Sequence, residues 1–298
     1  MNKAEYFKSG FVAVVGRPNV GKSTMINALI GDKIAIVSDK AQTTRNRIIC
    51  VYTDEEKQIV FMDTPGVHKP KHKLGEFMVD AAIESLKETE AVLFVVAGNE
   101  KRGPGDNFII EQLKRVKVPV FLVVNKIDTL QKEQVLEAIV SYQDAYPFAG
   151  VIPISAKNKE NLSELLNVLG EHLPEGPQYF PEDMITDQPE RLIISDIVRE
   201  KILLSTRDEI PHAIAVDVDE MKTRDDGTTY IRATIYCERD SQKGIIIGKK
   251  GALLKQLGAE ARADIQKLLA TKVYLDLWVK VKKDWRNKSG MLSELGYQ

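Results

Sequence analysis

The sequence predicts an α/β domain on a mostly parallel sheet, followed by a smaller α+β domain of order αββααβ. Three observations carry this reading. In the first half, short β-branched runs alternate with amphipathic segments, as in a parallel sheet covered on both faces. A glycine-rich loop, GRPNVGKS at 16–23, joins a strand-like run to a helix-like one. Then LPEGPQYFPEDMITDQPE at 173–190 brings four prolines and a glycine, which stiffen the chain and stop a helix. These features place the first domain at 1–175, a linker at 176–190, the second domain at 191–286 and a fraying C-terminal tail at 287–298.

Strands are expected at 11–15, 47–52, 58–62, 91–97, 120–124 and 151–154, with 47–52 and 58–62 paired as a hairpin across TDEEK. Helices are expected to begin near Lys22, Leu74, Gly105, Lys132 and Asn161, the last marked by Leu162, Leu165, Leu166 and Leu169 at helical spacing. The second domain opens with a helix at 191–204. AIAVDVD at 213–219 and YIRATIYC at 230–237 alternate like half-buried strands, with Asp226-Gly227 as a turn between them. IIIGKKG at 245–251 then leads into a helix whose apolar face is Leu254, Leu257, Ala261, Ile265, Leu268 and Leu269. KVYLDLWVKVKKDW alternates again as a strand, and Tyr274 and Trp278 within it, like Phe148 in the first domain, are read as packing residues.

The 298 residues suit about two domains, and 43% hydrophobic with 29% charged residues is ordinary globular composition. The net charge of −1 hides an asymmetry: residues 241–288 hold 12 basic residues against 4 acidic, a local +8 that leaves −9 for the rest. A basic module of this kind suits nucleic acid or an anionic membrane face. Cys50 and Cys237 form no CxxC pair and read as buried free thiols in a reducing compartment. FVAVVG is too short for the core of a signal peptide, and no run of 18 apolar residues exists, so an intracellular chain is expected.

GxxxxGKS between strand and helix is a phosphate loop. Glycines let several N–H groups turn inward, and with the helix N-terminus they hold a β-phosphate. Gly16, Arg17, Pro18, Asn19, Val20, Gly21, Lys22, Ser23 and Thr24 are the expected lining; Lys22 would reach the β- and γ-phosphates and Ser23 would ligate Mg²⁺. DTPG follows at Asp63, Thr64, Pro65 and Gly66, where Asp63 can enter the Mg²⁺ shell and the Gly66 N–H can sense the γ-phosphate. NKID at 125–128 ends a buried strand. The Asp128 carboxylate can accept from both N1–H and the 2-amino group of guanine, a donor pair that adenine lacks. Asn125 would brace the loops, the Lys126 stem would lie over the base, and Ser155-Ala156-Lys157 would bring the Ala156 N–H to guanine O6. GTP rather than ATP is therefore expected. His68 and His72 lie in HKPKH, where a proline and two lysines argue against a metal pair.

GRPNVGKS, TT, DTPG, NKID and SAK in this order resemble the translation-factor-like branch of the P-loop GTPases. That resemblance implies a switch threonine closing on Mg²⁺, which SDKAQTTRNR supplies as Thr43 or Thr44, with Thr44 favoured because it precedes Arg45. It also exposes a departure. Ras-like members carry a water-positioning glutamine after DxxG where this chain has Val67, so slow intrinsic hydrolysis is expected. In related GTPases an asparagine at the place of Asn19 lets K⁺ bridge to the phosphates, and the same is expected here.

GKKG lacks the spacing and the Ser/Thr of a phosphate loop, and it links two helices. The second domain thereby resembles a type II KH domain, whose GxxG loop takes a nucleic-acid backbone beside an apolar groove for about four unstacked bases. The resemblance implies RNA contacts at Gly248, Lys249, Lys250 and Gly251, groove candidates Ile245, Ile246, Leu253 and Leu254, and a positive field from Lys243, Lys255, Arg262, Lys280, Lys282 and Lys283. A GTPase of this kind with one C-terminal KH domain resembles the Era type of bacterial GTPase along nearly the whole chain. That implies a cytoplasmic monomer with a peripheral fraction at the inner membrane face, binding near the 3′ end of 16S rRNA and acting in 30S subunit assembly. In that picture GTP with Mg²⁺ orders the switches at 39–47 and 67–74, and hydrolysis releases them. Two other classes are a membrane signalling GTPase, which would prefer anionic vesicles to single-stranded RNA, and an RNA chaperone without turnover, against which Lys22, Asp63 and Asp128 all stand.

Overall fold

The computed structural model describes residues 7–38, 40, 43–66 and 72–297. They form two compact units. Among the described residues, one comprises 7–35, 44–66 and 75–187; the other comprises 188–297 with 36–38, 40, 43 and 72–74. The division thus falls inside the proline-rich stretch.

The first unit is a six-stranded sheet of order β2-β3-β1-β4-β5-β6, made by β1 (Lys8–Val15), β2 (Ile48–Thr53), β3 (Lys57–Asp63), β4 (Ala91–Ala97), β5 (Val120–Asn125) and β6 (Gly150–Pro153). Every pairing is parallel except β2 with β3, the hairpin expected across TDEEK. Helices α1 (Lys22–Ile30), α2 (Lys73–Glu84), α3 (Pro104–Leu113), α4 (Lys132–Gln143) and α5 (Leu162–His172) fill the intervals. The central strands are apolar throughout because both faces are covered: Val12 and Val14 enter one core cluster, while Ala13 and Val15 enter the other.

The proline-rich stretch is not a free tether. Buried Gln58 receives the N–H groups of Tyr179 (2.8 Å) and Phe180 (3.0 Å) on its Oε1, and its Nε2 donates to the Phe180 carbonyl (2.9 Å). Beyond it, the Val51 N–H donates to Ile185 and a bridge joins Cys50 to Thr186, covering the open edge of β2.

The second unit runs α6 (Glu190–Ser205), α7 (Ile210–Ala213), β7 (Ala215–Thr223), β8 (Thr229–Cys237), α8 (Asp240–Ile247), α9 (Ala252–Leu269), β9 (Val273–Val281) and α10 (Ser289–Glu294). Its sheet has the order β7-β8-β9, antiparallel then parallel. The order αββααβ is present, with α7 as an unexpected single turn. α9 buries Leu257, Ala261 and Ile265, but Leu268, expected on that face, is 40% exposed. Cys50 and Cys237 are both free and buried. Among the described residues no helix is long and apolar enough to cross a membrane.

The expected fraying of 287–298 is corrected. Trp285 is fully buried and donates its indole N–H to the Ala213 carbonyl (2.9 Å); its ring stacks 6.2 Å from Tyr297, and Leu292 and Leu295 are buried. The apolar residues of α10 close this end of the core, a contact too far along the chain for local periodicity to signal. Leu292→Ala should therefore lower the unfolding free energy by about 2 kcal/mol or more in urea titrations. An unchanged midpoint would restore the frayed tail.

Candidate nucleotide site and candidate RNA groove

The nucleotide loops lie at the C-terminal ends of the parallel strands, where such sheets present their ligands. β1 ends at Val15, and Gly21 then starts α1 at φ 99°, a conformation that favours glycine; a Cβ there would also lie 2.2 Å from the Asn125 amide nitrogen. Lys22 is buried and its Nζ donates to the carbonyls of Gly16 and Arg17, both at 3.1 Å. Burial lowers its pKa to about 8, against the pull of Asp63. Asp63 ends β3 opposite Val14 and is fully buried. Burial raises its pKa to about 6, opposed by Lys22 and by the hydroxyls of Ser23 and Thr44.

Three oxygens converge there. Ser23 Oγ donates to Asp63 Oδ2 (2.8 Å), Thr44 Oγ1 lies 3.0 Å from Ser23 Oγ, and Thr44 Oγ1 is 3.4 Å from Asp63 Oδ2. Asp63 Oδ1 is buried without a hydrogen-bond partner. Two hydroxyls and a carboxylate with an unsatisfied oxygen form a hard, all-oxygen donor set, which fits Mg²⁺. The two threonines separate clearly: Thr43 Oγ1 donates to the Lys40 carbonyl (2.6 Å), whereas Thr44 is buried beside Ser23 and Asp63.

The base-reading loops are tied to the phosphate loop through Asn125. Its Nδ2 donates to the Val20 carbonyl (2.9 Å) and its Oδ1 accepts the Ala156 N–H (3.0 Å). The Ala156 N–H, expected to face guanine, is thus engaged within the protein. Ser155 Oγ donates to Asp128 Oδ1 (2.7 Å) and accepts the Asn158 N–H (3.1 Å), which orients the exposed Asp128 carboxylate. Lys126 is half-buried and Lys157 exposed.

Several expected lining residues have other work. The Arg17 guanidinium pairs with Asp106 (2.9 Å) and Glu100 (3.0 Å), so its backbone rather than its side chain faces the loop. Asp106 also accepts the Gly103 N–H at the start of α3. Neither acid carries a sequence signal for this pairing. Thr64 Oγ1 donates to the Val14 carbonyl (2.6 Å) and is buried, a structural bond; Pro65 and Gly66 are buried beside it. Pro18 is half-buried, and Asn19 is exposed at φ 64°. Val67 and His68 lie outside the described residues, and so do the sequence readings made of them.

In the second unit GKKG links α8 to α9. Gly248 has φ 72°, and a Cβ there would meet the Leu253 Cβ at 2.8 Å, so glycine is required. Lys249 and Lys250 are exposed at the tip, as are Lys255, Arg262, Lys280, Lys282 and Lys283; Lys243 is half-buried. Ile246 is corrected from groove to core: it is fully buried, while Ile245 is 53% exposed. A groove of about 400 Å³ runs beside the loop between α9 and β9, with Leu254, Lys255, Gly258 and Arg262 facing Leu275 and Leu277. Gly258, Leu275 and Leu277 were not anticipated. A wall supplied by the last strand becomes visible only when the sheet is assembled.

Residues 11–126 match the model of the family described as 50S ribosome-binding GTPase, and residues 209–286 match the KH domain model. The crystal structure of a tyrosine-to-alanine variant of Aquifex aeolicus Era bound to GDP·AlF4⁻ is 43% identical, covering 98% of this chain and 99% of that one, at a TM-score of 0.95. Era in complex with MgGDPNP and nucleotides 1506–1542 of 16S ribosomal RNA matches with the same identity, coverage and TM-score.

Thr44→Ala should weaken Mg²⁺-dependent retention of a GTP analogue about ten-fold, the scale of one lost hydroxyl contact to a charged group. Thr43→Ala should change it little. Release of a fluorescent analogue across a Mg²⁺ titration distinguishes the two, and the reverse ranking would reject Thr44 as the switch threonine.

Proposed function

This chain belongs to the Era family of GTPases, and from that premise we propose that GTP hydrolysis times its hold on the 3′ region of 16S rRNA during 30S subunit assembly. The RNA assignment rests on likeness to the Era complex with nucleotides 1506–1542 and on the basic groove beside GKKG. The observation that carries the timing is Thr44. It comes from the loop before β2, yet its hydroxyl lies 3.0 Å from Ser23 and 3.4 Å from Asp63. The position of that loop and the occupancy of the site are therefore coupled.

The roles follow from the chemistry. The backbone from Gly16 to Thr24 and the N-terminus of α1 receive the β-phosphate, and Lys22 turns from its two carbonyls toward the β- and γ-phosphates. Ser23, Thr44 and Asp63 would hold Mg²⁺, which would supply positive charge to offset that of the phosphates. The Gly66 N–H senses the γ-phosphate. Asp128, oriented by Ser155, selects guanine, with the Lys126 stem over the base and Lys157 at the rim. Asn19, exposed beside the loop, is assigned to a K⁺ ion that adds positive charge where other GTPases use an arginine. In the second unit, Gly248 to Gly251 meet an RNA backbone, with Lys249, Lys250, Lys255, Lys280, Lys282 and Lys283 on its phosphates.

After hydrolysis Thr44 and Gly66 lose their γ-phosphate-dependent contacts and the loop before β2 relaxes.

A single-stranded RNA from the 16S rRNA 3′ end should bind more tightly with a GTP analogue than with GDP, as measured by fluorescence anisotropy. Equal affinities would reject the timing, and stronger binding to anionic vesicles than to RNA would favour the signalling reading. Hydrolysis should be faster in K⁺ than in Na⁺ at equal ionic strength; equal phosphate release would remove the role given to Asn19.

A further inference from the structure

β9 is an edge strand, and its two sides differ. Leu275 and Leu277 line the groove beside GKKG. On the alternate positions Tyr274 and Trp278 are 51% and 55% exposed, although the sequence reading made them packing residues. Exposed aromatic rings on a sheet face are a feature of interaction surfaces.

These rings are held in place. Trp278 donates its indole N–H to Asp276 (2.9 Å), and Tyr230 donates its hydroxyl to the same carboxylate (3.3 Å). Tyr230 and Tyr274 stack at 5.9 Å, with the Arg224 guanidinium 4.8 and 4.9 Å from their ring centres. Cations bracket the rings along the edge: Lys272 on one side, Lys280, Lys282 and Lys283 on the other, all exposed. The nearby acids are matched or lie farther off. Glu220 pairs with Lys222 (2.8 Å) and Arg232 (3.2 Å), Asp276 holds the two donors above, and Asp219 of β7 accepts the hydroxyl of Thr234 (2.7 Å), the register partner of Trp278.

We propose that Trp278 and Tyr274 form a second contact for the same single-stranded RNA, stacking a base that lies beyond those held in the groove. This rests on the RNA-groove reading above. An exposed indole beside an outward tyrosine that is itself stacked and capped by arginine, with flanking lysines, has the elements of single-strand binding, because every base has a π-face and every nucleotide a phosphate. The groove takes about four bases. A longer strand leaving it meets the edge of β9, and the rings stand on the other side of that same strand.

The test uses the full-length chain with a 12-nucleotide single-stranded RNA from the 16S rRNA 3′ end and a four-nucleotide piece of it. Trp278→Ala should weaken the 12-mer about ten-fold and leave the four-mer unchanged. Trp278→Phe, which keeps a ring, should recover most of the loss. The chain's other tryptophan, Trp285, is fully buried, so acrylamide-accessible emission reports Trp278, and the 12-mer should shield it where the four-mer does not. Unchanged 12-mer affinity in Trp278→Ala overturns the proposal, and if association with 30S subunits falls instead, the face meets another part of the subunit. Lys249→Glu with Lys250→Glu reports on the groove separately: unaltered binding of both RNAs there would reject the groove reading itself.

Discussion

The nucleotide site depends on one buried pair of opposite charges, Lys22 and Asp63. Burial moves each toward its neutral form, Lys22 down to about 8 and Asp63 up to about 6, and each partly restores the other's charge. The parallel register of β1 and β3 sets Asp63 opposite Val14, at the strand end where the phosphate loop departs. A sheet packed on both faces cannot relax to let water in. Lys22 is left with neutral carbonyls, and one carboxylate oxygen of Asp63 with no hydrogen bond. Such a site is under-satisfied in complementary ways: an anion answers the lysine and a cation answers the aspartate. Ligands that supply both charges at once stabilise the folded state by mass action.

The two glycine loops use the same residues for opposite ends. In the first, a single lysine is buried and the turn directs backbone N–H groups inward, which suits a compact polyanion held out of water. In the second, Gly248 at φ 72° turns the chain so that Lys249 and Lys250 stand in solvent. Exposed lysines attract phosphates along a strand through a field that salt screens, so they grip without fixing one nucleotide. The depth of the lysine, rather than the presence of glycine, separates the two devices.

Much of this was legible from the chain. The phosphate loop, DTPG and NKID are short motifs attached to strands, and both the strands and the motifs are local patterns. The αββααβ order was legible for the same reason. What escaped was non-local. Arg17 reads as a phosphate-loop side chain until Asp106 arrives from α3, 89 residues on. Ile246 reads as groove until α8 turns it into the core, and Leu275 and Leu277 become a groove wall only once β9 joins β8. The tail reads as frayed because α10 is a single short helix, yet Trp285 and Tyr297 stack across it. Alternation in β9 marked Tyr274 and Trp278 as sharing one face without telling whether that face was the covered one.

Asn125 bears on how the site can tell GTP from GDP. One side chain bonds the Val20 carbonyl and the Ala156 N–H, so the phosphate loop, NKID and SAK are tied into one body. Ser155 fixes Asp128 within that body. None of these bonds involves the loop before β2, so under the proposed assignment the base is read alike in both nucleotide states. Thr44 enters from outside that body and meets Ser23 and Asp63 alone. The base contacts then set which nucleotide is held. Under the proposed assignment, the difference between its two states is expressed on the γ-phosphate and metal side of the site, through the Thr44 hydroxyl and the Gly66 N–H.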